Sequence, residues 1–236
     1  MEININELFG LIGTIVSIIL YFSHIPTYFK FCLSYKKINL TPFHTILLNY
    51  ISCVCWLIYS YFLKDKYLQT TNISGSIFSF ICAFIYIIKL GNSKVFKSII
   101  ITISLLFLTS IFYILFVLMI KDIKIIGILS VITSLIKVIS PILIIKNVIK
   151  YRNYKFISIC KCSLGLLGTT SWIIYGFMSI NFFIIIPNFI WMIFIFILMF
   201  LWNVFKKKKA VVEEVANYSL NSIRNRNDNI VNIDNI

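Results

Sequence analysis

The residues of this chain best suited to meeting a solute come in duplicate. Trp56-Leu57-Ile58-Tyr59 is followed after twelve residues by Asn72, and Trp172-Ile173-Ile174-Tyr175 after twelve by Asn188, in register at an offset of 116. An amide offers two donors and an acceptor, the mixture that sugar hydroxyls need, and an indole face can pack on the C–H face of a pyranose. Apolar walls with a few polar groups are the general recipe of a small-molecule pocket. Alone, an Asn in a membrane helix reads as a helix-to-helix hydrogen bond and a Trp as part of an interfacial belt. Symmetric duplication of both favours the pocket.

The other polar groups within apolar segments are few. Lys137 stands four residues before Pro141, so the two share a helical face, and a charge at that depth costs roughly 3 kcal/mol or more. It either looks into an aqueous pathway or snorkels and bonds to backbone. His24 and His44 lie near Pro26 and Pro42. Both read as neutral hydrogen-bonding residues, with His24 also a candidate for the pathway. Pro26, Pro42 and Pro141 each remove a backbone donor and bend their helices. Pro26 and Pro141 are repeat-related at an offset of 115, which marks them as hinges.

The elements that carry these groups are membrane spans. The 236 residues are 60% hydrophobic and 13% charged, with a mean hydropathy of +0.95, well beyond a soluble domain. A spanning helix takes roughly 20 apolar residues. Seven stretches qualify, at about Leu8 to Phe29, Pro42 to Leu63, Leu68 to Lys89, Ser98 to Ile120, Ile125 to Ile149, Phe156 to Met178 and Phe182 to Phe205. Their continuity argues for helices, because barrel strands would alternate over about ten residues.

The duplication covers spans one to three and five to seven. Three is odd, so direct fusion would invert the second unit, and the unmatched fourth span restores its orientation. The fold class expected is therefore all-α and polytopic, with seven transmembrane helices as two parallel three-helix repeats joined by a linker helix, 3+1+3. The units are residues 1–89, a linker with the fourth span at 90–124, residues 125–205, and a tail at 206–236. Lys206 to Lys209 form a membrane-proximal basic cluster, and the Asn-rich stretch beyond has too little apolar surface to fold, so a disordered tail is expected.

The formal charge of +14 does not point to nucleic acid, because its placement follows topology. Lysines such as Lys36, Lys37, Lys94, Lys97, Lys150 and Lys155 flank one side of the spans, and only Lys64, Lys66, Lys121 and Lys124 flank the other. By the positive-inside rule the amino terminus faces outside or the lumen and the carboxyl terminus the cytosol. The first residues lack the basic region of a signal peptide, so the first span is expected to insert uncleaved. Six cysteines lie in or beside spans and are expected as free thiols. No metal site or cofactor is expected from their spacing with two histidines. The sequons at Asn39, Asn72 and Asn217 are expected to be silent.

All eight acids, Glu2, Glu7, Asp65, Asp122, Glu213, Glu214, Asp228 and Asp234, lie outside the span cores. Ion-driven carriers commonly use a membrane carboxylate, so the pattern favours uncoupled movement of a neutral solute. Enzyme chemistry lacks its parts: there is no intramembrane acid pair, metal-ligand cluster or glycine-rich phosphate loop.

Gly-Thr-Thr-Ser-Trp-Ile-Ile-Tyr-Gly at 168–176, Ile-Pro-Asn at 186–188, Ser-Pro at 140–141, Thr-Asn-Ile-Ser-Gly at 71–75 and the 3+1+3 layout together resemble the SWEET, or MtN3/saliva, sugar transporters over about residues 7 to 205. The resemblance implies a facilitator of mono- or disaccharides working by alternating access, often as a homo-oligomer, in the plasma membrane or an endomembrane. It places the paired pocket asparagines on Asn72 and Asn188 and the pocket aromatic on Trp172, with Trp56 its repeat mate. The family's proline tetrad falls on Pro26, Pro42 and Pro141, with Ser158 at the fourth position. Lys137 is a departure in the pathway lining. Two other readings stay open: a PQ-loop carrier of amino acids, although Pro26 precedes Thr27 and Pro141 precedes Ile142, and a non-transporting membrane adaptor or cargo receptor.

Overall fold

The computed structural model describes residues 5–23, 43–90 and 122–233, with four single positions between 100 and 114; side chains are described at 5–23, 45–85 and 122–207 and at those four. The fourth span, Pro26, Pro42, His24 and the side chain of His44 lie outside the described residues. Every element described is helical: α1 (Ile5–Phe22), α2 (Phe43–Leu63), α3 (Lys66–Leu90), α4 (Ile123–Ile136), α5 (Ile139–Tyr151), a short 3-10 turn (Tyr154–Phe156), α6 (Ile159–Met178) and α7 (Phe182–Ile233). Among the described residues five apolar stretches, Ile5–Phe22, Thr45–Leu63, Lys66–Ile85, Ile123–Tyr151 and Phe182–Lys207, are long enough to cross a bilayer. The 20 residues of α6 would span roughly 30 Å at 1.5 Å per residue. The chain is a helical membrane protein.

Three departures from the sequence reading concern helix boundaries. The fifth span is two helices, α4 and α5, divided at Lys137–Val138. Pro141 has no N–H to give the carbonyl of Lys137 four residues earlier, and Ser140 N donates to that carbonyl instead at 3.1 Å. Ser158 is not inside a helix. It is the N-cap of α6, with extended backbone (φ −90°, ψ 103°) and no capping bond from its side chain. A hinge at Ser158 is thereby corrected: no helix interior exists there to bend, because the 3-10 turn and Ile157 carry the chain into α6. Finally, the backbone of α7 stays helical through Ile233, against the disordered tail expected from composition. Lys, Ala and Glu are good helix formers, and from Lys206 to Glu214 they extend a helix already nucleated by the span.

The packing of the helices is the same in both halves of the chain. Helix α1 packs on α3, and α2 on α3; correspondingly α4 packs on α7, and α6 on α7. Between the halves, α1 lies against α6 and α2 against α4. The connections repeat too. Lys64 (φ 55°) and Ile180 (φ 52°), 116 apart, both take left-handed backbone at the ends of α2 and α6. Asp65 N donates to Ser60 O (3.0 Å) and Asn181 N to Gly176 O (2.8 Å). Ile180 is β-branched, so its positive φ is strained.

Each turn ends in a residue that caps the next helix. Asp65 Oδ1 accepts the backbone N–H groups of Tyr67 and Leu68, both at 3.0 Å, and Asn181 Oδ1 accepts that of Phe183 at 3.2 Å. Short acceptors at an N-cap satisfy donors that the helix itself leaves open. These caps fix where α3 and α7 start, and so set the depth of Asn72 and Asn188.

Candidate functional site

A cavity of about 640 Å³ lies between the two halves, lined from both. Trp56, Trp172, Asn72 and Asn188 all face it, with Leu68 and Ile184 between them. These four residues, dispersed in the sequence, line one cavity. From there the cavity extends to Phe156, Ser158 and Lys161, and the first two of these are exposed.

Close approach of the halves positions the tryptophans. Trp56 Nε1 donates to Ser134 Oγ at 2.7 Å, and Trp172 Nε1 donates to Ser17 Oγ at 3.2 Å. Each indole on the second helix of one half is therefore held by a serine on the first helix of the other. Both rings are over nine-tenths buried. Their N–H groups are committed to these bonds, and both rings line the cavity. Gly13 makes room for this: a Cβ there would stand 2.9 Å from Trp172 Cε2.

The asparagines are held differently from either reading of the sequence. Asn72 Nδ2 donates to Leu68 O at 2.7 Å and Asn188 Nδ2 to Ile184 O at 2.8 Å, each one turn back on its own helix. Neither bridges two helices. The back-bond fixes the amide and leaves one N–H and the carbonyl oxygen of each for the cavity. Pro187, inside α7 and buried, precedes Asn188 and also lines the site.

Towards the Asp65 end the cavity is closed by a layer of aromatic residues. Tyr59 Oη donates to Asn181 Oδ1 at 3.0 Å, and Tyr175 Oη donates to Asp65 Oδ2 at 2.8 Å. Both bonds cross between the halves, and both partners are related by 116 residues. Tyr59 packs edge-on to Trp56 (5.6 Å) and Phe183 (5.8 Å), as Tyr175 does to Trp172 (5.6 Å) and Tyr67 (6.0 Å). Edge-to-face aromatic pairs at such separations are favourable. With Leu68, Ile126 and Ile184 these residues form a continuous buried cluster. The cavity is shut at the Asp65 end and reaches exposed residues at the Lys161 end.

Lys137 lines the cavity at the break between α4 and α5, as do Pro141 and Ser158. Cys53 and Cys55, in α2, are buried and form no disulfide, and Tyr21 Oη lies 3.7 Å from Cys53 Sγ. Sequence reasoning missed Ser17, Ser134, Pro187 and the Tyr–Asp65 and Tyr–Asn181 closures. The signal was available for the last: Tyr59 with Tyr175 and Asp65 with Asn181 keep the 116 offset. The serines carry no comparable signal, since small hydroxyls recur throughout these helices.

Residues 7–94 and 124–210 match the family described as sugar efflux transporter for intercellular exchange, MtN3_slv. The chain belongs to this family. Its relatives include the bidirectional sugar transporter NEC1 of Petunia hybrida, 25% identical over 89% of this chain and 81% of the relative. The bidirectional sugar transporter SWEET12 of Oryza sativa subsp. japonica is 22% identical over 88% of this chain and 71% of its own. Sugar transporter SWEET1 of Xenopus tropicalis is 25% identical over 66% of this chain and 72% of its own. A solved structure of a eukaryotic SWEET transporter shares the fold, with a TM-score of 0.75 at 20% identity, covering 86% of this chain and 97% of the other.

Proposed function

We propose that this protein is an uncoupled, bidirectional sugar facilitator that works by alternating access. The observation that carries the reading is the cavity itself. Two indole faces and two tethered amides, contributed symmetrically by two halves, meet across a cleft that is sealed at one end. Indoles supply apolar area and amides pair with hydroxyls, which suits a pyranose. No Asp or Glu occurs between Asp65 and Asp122 or between Asp122 and Glu213. An ion-coupled carrier would be expected to hold a carboxylate there.

The recurrence of helix packing, turns and caps supports a 3+1+3 arrangement in which two parallel triple-helix units flank the fourth span. Rocking of one unit against the other would open the Asp65 end while closing the Lys161 end. The break at Lys137–Val138, with Pro141 beyond it, is a place for the second unit to flex, with Pro26 and Pro42 in the corresponding role in the first. Charge placement supports a cytosolic Lys161 end, on which reading the cavity opens inward. The relatives' names support sugar as the solute and disfavour both the amino acid carrier and the non-transporting adaptor. Exposed apolar side chains such as Phe80, Phe84 and Phe200 suit lipid or a second copy of the chain in a homo-oligomer.

Exchange of labelled glucose in proteoliposomes tests the reading, with and without a proton gradient. Asn188→Ala should lower flux about 2- to 13-fold, the worth of one hydrogen bond at about 0.5–1.5 kcal/mol, in protein that inserts normally. Unchanged flux in the variant would remove Asn188 from the pocket, and accumulation driven by a gradient would refute uncoupled transport.

A further inference from the structure

We propose that the preferred solute of this cavity is an anionic carbohydrate, a hexuronate or a hexose phosphate, whose charge is met by the Lys137 ammonium. The inference rests on the transport reading and narrows its substrate class.

Lys137 sits on the cavity wall beside Ser134 and Ser140, where the helical ladder is interrupted. An ammonium at membrane depth must find acceptors or a counter-charge. Among the described residues no carboxylate lines the cavity to meet it. The sequence carries no Asp or Glu between Glu7 and Asp65, between Asp65 and Asp122, or between Asp122 and Glu213, a count that includes every loop on the Lys161 side before the tail. Three acids that precede the tail, Glu7, Asp65 and Asp122, are engaged at the opposite end of the spans. Glu7 meets Lys66 at 3.3 Å, Asp65 takes the Tyr175 hydroxyl and caps α3, and Asp122 caps α4 through Lys124 N at 2.9 Å. Among the described residues, the thiols of Cys53 and Cys55 interact electrostatically with Lys137, and thiols are weak hydrogen-bonding partners.

A second cation, Lys161, lines the same cavity further along. The lining therefore pairs a carbohydrate-like face, the two indoles and two amides, with two lysines and, among the described residues, no carboxylate. A neutral sugar would leave the ammonium without a counter-ion, whereas a carboxylate or phosphate monoester would form charge-assisted bonds to it, stronger than neutral ones. A cavity of about 640 Å³ lies within the range that encloses small organic solutes.

The test uses the purified full chain in proteoliposomes, exchanging labelled glucose, glucuronate and glucose 6-phosphate. At least one anion should exchange with a KM tenfold or more below that of glucose, and an inside-positive potassium diffusion potential should speed its uptake. Lys137→Met should reverse the preference to glucose by tenfold or more, and Lys137→Arg should keep the anion preference. Assembly of both variants is checked by size-exclusion chromatography, and the potential dependence of the unmutated protein is a readout that needs no variant. The two anions distinguish carboxylate from phosphate. Exchange of glucose with neither anion, or an anion preference untouched in Lys137→Met, overturns the inference alone. Exchange of none of the three overturns the transport reading with it.

Discussion

Replacing Tyr175 with Phe removes one hydroxyl from the closed end and leaves the ring. The edge-on contacts with Trp172 at 5.6 Å and Tyr67 at 6.0 Å survive, but the 2.8 Å bond to Asp65 Oδ2 is lost. That bond joins the two halves only while the Asp65 end is shut. A hydrogen bond to a charged group contributes about 1.5–3 kcal/mol, and 1.4 kcal/mol is about tenfold in an equilibrium. Asp65 is half-buried and can take water in place of the hydroxyl, so the lower end applies. The open population should rise about tenfold. Tyr59→Phe loses a neutral bond to Asn181 and should raise it less, about twofold to tenfold. A cysteine placed at Ile126, 1% exposed within the closing cluster, reports the opening in a background without the native cysteines. A membrane-impermeant maleimide is added from the Asp65 side. Labelling should quicken about tenfold in Tyr175→Phe. A rate within twofold of the parent, or a larger effect from Tyr59→Phe, would refute the closure as described.

Gly13→Val forces a side chain to within contact distance of Trp172, where a Cβ already stands 2.9 Å from the ring. Overpacking of this kind costs about 1–3 kcal/mol, so sugar binding measured by tryptophan fluorescence should weaken at least fivefold. Gly165→Ala, whose Cβ would meet Ile195 Cδ1 at 3.1 Å and no indole, should weaken binding less than Gly13→Val does. Pro141→Ala restores an N–H for the Lys137 carbonyl and should heal the break in the fifth span. The expected result is exchange slowed severalfold with equilibrium binding unchanged; unaltered exchange would deny Pro141 a hinge role.

Much of the site was readable because it is duplicated. The Trp–Asn spacing recurs at 116 residues, and all four residues face one cavity. The same offset held Asp65 with Asn181 and Tyr59 with Tyr175, which composition alone did not single out. Ser158 shows where alignment of positions was not enough: a residue assigned to a span interior is the cap before it, because the preceding 3-10 turn uses the intervening chain. The asparagines show a similar gap. Their amides point into the cavity, but a back-bond to Leu68 or Ile184 decides which of their groups remain for a ligand.

The sequence by itself determined that this is a helical membrane protein, that it is duplicated, and which polar groups stand at membrane depth. Those facts follow from hydropathy and spacing, which act locally along the chain. Only the tertiary structure decided that α1 of one half lies against α6 of the other, and α2 against α4. Helices apolar on nearly every side give no direction to their faces, because lipid and protein interior reward the same side chains. The bonds that fix the pocket, Trp56 to Ser134 and Trp172 to Ser17, join residues 78 and 155 positions apart, and no local pattern records such distances.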